Sequence, residues 1–412
     1  MNVLIIASLW PEPTSSAAGR RMVALIELFH QQGWTITYAS TAQESNYSYP
    51  LESLNISRRT VKVNDPDFDK FVRELAPELV LYDRFMVEEQ FSWRVAQQCP
   101  SAINIIETSD LHCLRQGRQV ALKEKRAFMV SDLYSDIAYR EMASIQRSDL
   151  SLIISTYEIE VLNTVFKVDS RLIHYLPFIV EPSAIKAQQQ SWPSYQQRAG
   201  FMCIGNFKHP PNWDSVQYLK KDIWPLIRKQ LPRVSVSIYG AYPPPKAMQL
   251  NNPKEGFLVK GRAEDAHEVM QQARVCLAPL RFGAGLKGKL LDAMECGTPS
   301  VTTPLGAEGM CGESPWAGQI EQSPQAIADA AVALYNDEQA WETSQQNGLK
   351  IVRENFNPKD YEEALIARIK MIQEGLNEHR QQNFQGAMLR HHTMRSTKYM
   401  SLWIEEKNKT LN

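Results

Sequence analysis

Four glycines, two lysines and an aspartate crowd into one stretch of this chain, Arg281-Phe-Gly-Ala-Gly-Leu-Lys-Gly-Lys-Leu-Leu-Asp-Ala-Met-Glu-Cys-Gly-Thr-Pro299. It follows an apolar run, Val275-Cys-Leu-Ala-Pro-Leu280, that reads as a buried strand, and its second half has the spacing of a helix. A glycine-rich turn between a strand and a helix leaves backbone N–H groups at the positive end of the helix, where an anion can sit. Gly283, Gly285 and Gly288 let a ligand approach the backbone, and Lys287 and Lys289 add positive charge. Lys289 and Asp292 are three apart and share a helix face. A cation for phosphate beside a carboxylate for ribose hydroxyls suits a nucleoside diphosphate. The plainer reading is a surface ion pair worth roughly a few tenths of a kcal/mol.

Other turns at strand ends carry reactive side chains. Ile105-Ile-Glu-Thr-Ser-Asp-Leu-His-Cys-Leu-Arg115 places Asp110 and His112 where α/β proteins bind ligands. They could position an acceptor hydroxyl, with Arg115 or Arg118 serving an acidic acceptor; helix capping by Thr108, Ser109 or Asp110 is the alternative. Tyr82-Asp83-Arg84 ends a neighbouring strand. Ser8 to Arg21, with Gly19 and Arg20, also leaves a strand and enters a helix, as an ordinary loop would. Gly205-Asn-Phe-Lys-His-Pro-Pro-Asn-Trp-Asp214 offers Lys208 and His209, or a proline-stiffened loop capped by Asn212. Gly261-Arg-Ala-Glu264 closes another strand.

The elements that must position these residues alternate. Strand-like runs at 3–7, 35–40, 59–63, 79–82, 103–107, 150–155 and 172–176 are separated mostly by helical periodicity. Such alternation implies a parallel sheet covered on both faces. Pro177, Pro182, Pro193 and the glutamines 188–190 mark a linker. Strands then resume at 200–205, 235–240, 257–261, 275–280 and 300–303. Asn357-Pro358 opens a periodic helix with Tyr361, Leu365, Ile369 and Ile372 on one face. Beyond about residue 377 the chain turns polar and basic, as a mixed peripheral helix or a partly disordered extension would.

Composition narrows the function. The 412 residues suffice for about two domains, and 43% hydrophobic content fits a globular protein. A net charge of −1 argues against nucleic acid as the main partner. Six cysteines without a C-x-x-C pair suit a reducing cytoplasm, and the short apolar start reads as a first strand rather than a leader. No His/Cys cluster has zinc spacing, and no D-x-D element ends a strand, so no metal is expected.

The segment from Gly283 to Pro299 resembles the donor-binding stretch of retaining GT-B glycosyltransferases (glycosyl transferases group 1, family-4-like), in the variant reading roughly GAG-x-x-x-K-x-x-E-A-M-x-x-G-x-P-V-V. Gly306-Ala-Glu-Gly-Met310 is similar to the same branch. The resemblance runs with gaps from about residue 2 to about residue 368 and is strongest over 201–310. Asp292 takes the place of the ribose-binding acid; Ala284 stands where many relatives carry a second glutamate.

The resemblance implies an α/β chain of two doubly wound, Rossmann-like domains facing a cleft. Residues 1–180 would form the acceptor domain, 181–199 the linker, 200–356 the nucleotide-sugar domain, 357–376 a crossover helix and 377–412 a polar, basic tail. It implies a donor site formed by Gly283, Gly285, Lys287, Asp292, Gly19, Arg20, Gly205 and Arg262. Lys289 would stabilise the leaving diphosphate, and Asp110 and His112 would serve the acceptor. Partners would be a nucleotide-sugar and a glycan or lipid-linked acceptor, with no other cofactor, in cell-surface polysaccharide or lipopolysaccharide assembly. The location would be cytoplasmic, with peripheral contact at the inner face of the membrane. A sugar-nucleotide epimerase and a non-catalytic binding protein are the alternatives.

Overall fold

The computed structural model describes residues 1–181, 185 and 189–409, with the side chain of residue 393 left aside. Pro182 and Gln188, two of the residues marking the linker, lie outside them. Two parallel sheets organise the chain. The first joins β1 (Asn2–Ala7), β2 (Thr35–Ser40), β3 (Ser57–Thr60), β4 (Leu79–Asp83), β5 (Ile103–Glu107), β6 (Leu150–Ile153) and β7 (Ile173–Tyr175) in the order 3-2-1-4-5-6-7. The second joins β8 (Phe201–Ile204), β9 (Val236–Tyr239), β10 (Phe257–Gly261), β11 (Val275–Ala278), β12 (Ser300–Thr302) and β13 (Gly318–Ile320) in the order 10-9-8-11-12-13.

Central strands are largely apolar because helices cover both sheet faces. Val3, Ile5, Leu79 and Leu81 enter the core on one face, while Leu4, Ile6, Val80 and Tyr82 enter the core on the other. The strand order reverses between β1 and β4 and again between β8 and β11. Those two crevices, at the carboxyl ends of the strands, are where open α/β sheets bind ligands. The loops after β4 and β5, after β8 and after β11 carry the candidate residues there.

Two strands depart from the sequence reading. β3 lies upstream of the expected 59–63, because all four of its residues are exposed at the sheet edge and the apolar Val61 and Val63 draw the pattern downstream. β13, three residues long and mostly exposed, has no hydrophobic alternation to announce it.

The helix Glu362–Glu374 turns Leu365, Ile366, Ile369 and Ile372 into the first-domain core. The chain beyond is no loose extension. A short helix Leu376–Gln381 leads to a 26-residue helix, Phe384–Lys409, seated on the helices Phe85–Gln98 and Asp136–Arg147. Arg380 donates to Asp149 (2.7 Å) and to the carbonyls of Pro100 and Ala102. The fully buried Arg94 binds Asp69 (2.7 Å), Ser401 (3.2 Å) and Glu405.

Candidate active site between the two domains

The glycine turn is built as its sequence requires but faces protein rather than solvent. Gly285 has φ +63°, and a Cβ there would fall 3.0 Å from the Asp110 Cβ of the first domain. Only glycine gives this turn both its left-handed backbone and its closeness to the facing domain. The Gly285 N–H donates to Glu158 Oε1 (2.8 Å), which also accepts from Leu111 N–H (2.7 Å). Glu158 Oε2 is buried without a hydrogen-bond partner among the described residues. Burial, helped by Asp110, pushes the Glu158 carboxyl up to about 8. Arg118 grips Glu308 through two bonds (2.9 and 2.7 Å) and donates to the Gly283 carbonyl (2.9 Å).

Lys287, expected to offer its charge to a ligand, instead braces the turn from inside. Its buried ammonium donates to the carbonyls of Gly285 (2.6 Å) and Ala284 (3.4 Å), and burial lowers it to about 8. It stands at the N-cap position of the helix Gly288–Glu295 without a side-chain capping bond.

On the first-domain side, Ser109 (φ +58°) and Arg84 (φ +73°) hold left-handed backbone conformations that are strained for residues with a Cβ. Glu107 fixes this corner. Its carboxylate pairs with the buried Arg21 (2.8 and 2.9 Å) and accepts from Ser109 N–H, while its carbonyl accepts from Arg84 N–H. Asp110 is thereby set between Arg115 and the His112 ring (3.5 Å). Burial would raise the Asp110 carboxyl, but Arg115, His112 and His209 outweigh it and hold it at about 2. Burial, with Arg115 and Arg84, lowers His112 to about 4; His209, reaching in from the second domain, is lowered to about 4 by burial chiefly. Both imidazoles are neutral near neutral pH. Glu141 accepts the N–H groups of His112 (2.9 Å) and Cys113 (3.0 Å) at the helix start, and burial raises it to about 7.

The expected partnership of Lys289 with Asp292 does not form. Lys289 turns inward, donates to Asn212 Oδ1 (2.7 Å) and is lowered by burial. A Cβ at position 205 would fall 2.7 Å from the Lys289 ammonium, so Gly205 makes the space that Lys289 uses. Asp292 is held by Arg20, which also binds Glu295 (2.6 Å). Arg20 thus crosses to the second domain, but onto carboxylates. Gly19 lies in the first turn of the helix Ala17–Gln31, where a Cβ would overlap the Glu12 backbone, and its N–H is held by the capping Ser16. Arg262 reaches Thr14 (3.0 Å) and stacks on Tyr47.

The fold therefore brings Asp110, His112, His209 and Gly285 to one point, with Lys287 beneath and Lys289 close by, while Gly19 and Arg262 stand apart. Glu158, Glu141 and Glu308 went unforeseen. The signal for Glu158 was a carboxylate on the buried stripe of the helix Thr156–Thr164, in line with Val161 and Leu162. Among the described residues no three His, Cys, Asp or Glu side chains gather as metal ligands.

Residues 198–337 match the family model described as glycosyl transferases group 1. No curated protein sequence matches the chain. Solved structures share its fold at low identity. Sucrose-phosphate synthase from Thermosynechococcus elongatus is 14% identical with a TM-score of 0.64, covering 90% of this chain and 99% of its own. Anabaena HepE, solved with UDP and glucose, is 12% identical with a TM-score of 0.63, covering 90% and 99%. WaaG, a glycosyltransferase involved in lipopolysaccharide biosynthesis, is 12% identical with a TM-score of 0.59, covering 88% and 98%. With the glycine turn, its helix and the facing crevice all placed, the chain has the GT-B architecture, and most of its second domain matches the glycosyl transferases group 1 model.

Proposed function

We propose that the protein moves a sugar from a nucleotide-sugar donor to a glycan or lipid-linked acceptor with retention, in cell-surface polysaccharide or lipopolysaccharide assembly at the inner face of the membrane. The observation that supports this most is the meeting of the two switch-point crevices, where Asp110 of the first domain stands against Gly285 of the second. The donor would lie along the glycine turn, with its ribose on Asp292 and its diphosphate over the helix start. As the bond from the anomeric carbon to the phosphate oxygen breaks, negative charge grows on the phosphate; Lys289 and the turn's N–H groups stabilise it. The acceptor oxygen bonds to the same face of the anomeric carbon, and its proton passes to the leaving phosphate oxygen. Asp110, ionised in its cationic surround, orients the acceptor hydroxyl, and the neutral His112 relays a hydrogen bond. A lysine and a helix N-terminus take a metal's role in this scheme.

HepE was solved with UDP, which makes uridine diphosphate the first nucleotide to try. A thermal-shift series over nucleoside diphosphates tests the donor site, since a ligand of the native state raises its stability by mass action. A sugar-nucleotide panel then separates transfer, epimerisation by an epimerase and silence from a non-catalytic binding protein. An axial anomeric proton in the product of an α-linked donor, read by NMR, would overturn retention.

A further inference from the structure

The helix Phe384–Lys409 is inside out. Its fully buried residues are small or polar, Gly386, Ser401 and Glu405, while Met394 and Ile404 on the same side are half-buried. Gly386 lies so close to the Gln146 carbonyl that a Cβ would overlap it, and Arg390 donates to the Arg147 carbonyl (2.7 Å). Facing outward are Phe384 (76% exposed), Tyr399 (65%) and Trp403 (60%), with Met388, Met400 and Leu402 also exposed. Between them stand basic side chains, among them Arg395, Lys398 and Lys407, the last with its ammonium 5.3 Å from the Trp403 ring centre. Glu406 is the one acidic residue on this outer side. A helix gripped by polar contacts has no need of large apolar residues for docking to its own domain, so those on the outside await another surface.

We propose that this face docks the protein on an anionic lipid bilayer. Charge selects the occupant. A second copy paired through a two-fold axis would set this basic face against an identical basic face, whereas anionic headgroups complement it. Tryptophan and tyrosine rings, apolar with one polar edge, settle at headgroup level. No helix among the described residues is long and apolar enough to cross a membrane, so the attachment is interfacial. This inference names the surface for the membrane contact proposed above and rests on that reading.

The test is sedimentation of the full chain with vesicles of phosphatidylcholine alone and of equal parts phosphatidylcholine and phosphatidylglycerol. Binding is expected to the mixed vesicles only and to weaken with salt. Tyr399→Ser with Trp403→Ser should lower the partition about tenfold or more. Arg395→Glu with Lys398→Glu should lower it by at least about tenfold. Arg395, Tyr399 and Trp403 are exposed and Lys398 is half-buried at the edge of the face, and unchanged melting curves would confirm that the variants fold. Wild-type protein that ignores anionic vesicles overturns the membrane contact itself. Wild type and variants that bind equally overturn the helix as its site and leave the membrane contact standing. A dimer in light scattering that the Tyr399/Trp403 variant abolishes makes a second copy the occupant and overturns the proposal.

Discussion

Lys289 and Glu158 show how one side chain is set for chemistry and another for pH response. Lys289→Met keeps the buried chain length but removes the charge that would meet the leaving diphosphate. The turnover number should fall about a hundredfold, with a smaller change in donor KM, because the charge it meets develops only in the transition state. Steady-state kinetics decide this: a KM effect alone makes Lys289 a simple binding residue. Asp292→Ala should weaken nucleoside diphosphate binding by about 1.5–3 kcal/mol, the worth of a charge-assisted hydrogen bond, and titration calorimetry measures it. Glu158 acts oppositely to a surface carboxylate. The folded chain keeps its proton until about pH 8, whereas an unfolded glutamate releases it near pH 4.3. The folded state therefore binds more protons between these values. Stability is fullest below the lower value and is lost as the pH rises through the upper one, by about 1.4 kcal/mol per unit. Glu158→Gln, which still accepts the Leu111 and Gly285 N–H groups, should flatten the fall in melting temperature from roughly pH 5 to pH 8. An unchanged slope would show that Glu158 is not the group that titrates.

At the scale of elements, what could be read from the sequence depended on which side chains faced the core. β1, β4, β5, β8 and β11 are mostly apolar runs because both their faces are covered, and each was legible. The glycine turn was legible because its backbone demands are local. The terminal helix was legible only as one of two readings, because its fully buried residues are Gly386, Ser401 and Glu405 and no regular apolar period marks it. Nor were the contacts of the site: Glu158 with Gly285 and Arg20 with Asp292 join residues 127 and 272 positions apart. No local spacing reports such pairs, which is why Lys289 and Asp292, three apart, looked like partners. The docked helix has a measurable consequence. Truncation after Leu376 takes Ser401 and Glu405 from Arg94, and leaving a buried charge short of its partner costs about 3–5 kcal/mol. Calorimetry should show the first domain melting lower. Nucleoside diphosphate affinity should stay unchanged, since the glycine turn and its helix belong to the other sheet. A loss of affinity would mean that the terminal helix supports the donor site.

For the molecule as a whole, the domains are shut upon each other. The N–H of Gly285 is occupied by Glu158, the carbonyl of Gly283 by Arg118 and the carboxylate of Asp292 by Arg20. In the proposed reaction each is a group that a nucleotide-sugar would use or pass, so a donor would enter only after the domains part. Closure that opens for substrate and excludes water afterwards is a common arrangement in enzymes. Arg118 is the contact best placed to govern it. It is nearly buried, holds Glu308 through two bonds and the turn's backbone through a third, and leans on the Tyr157 ring at 4.9 Å. Arg118→Ala strips all of these from the first-domain side while leaving both sheets and the residues of the donor site in place. Removing one partner of a buried pair costs about 3–5 kcal/mol, here charged to closure rather than to either domain's own core. The variant should therefore populate a more open form. Small-angle X-ray scattering should give it a larger radius of gyration than the parent, and nucleoside diphosphate should associate with it faster. Added diphosphate should leave the difference in radius smaller, if a bound donor draws the domains together again. An unchanged radius together with an unchanged association rate would show that the Arg118 contacts do not hold the domains shut.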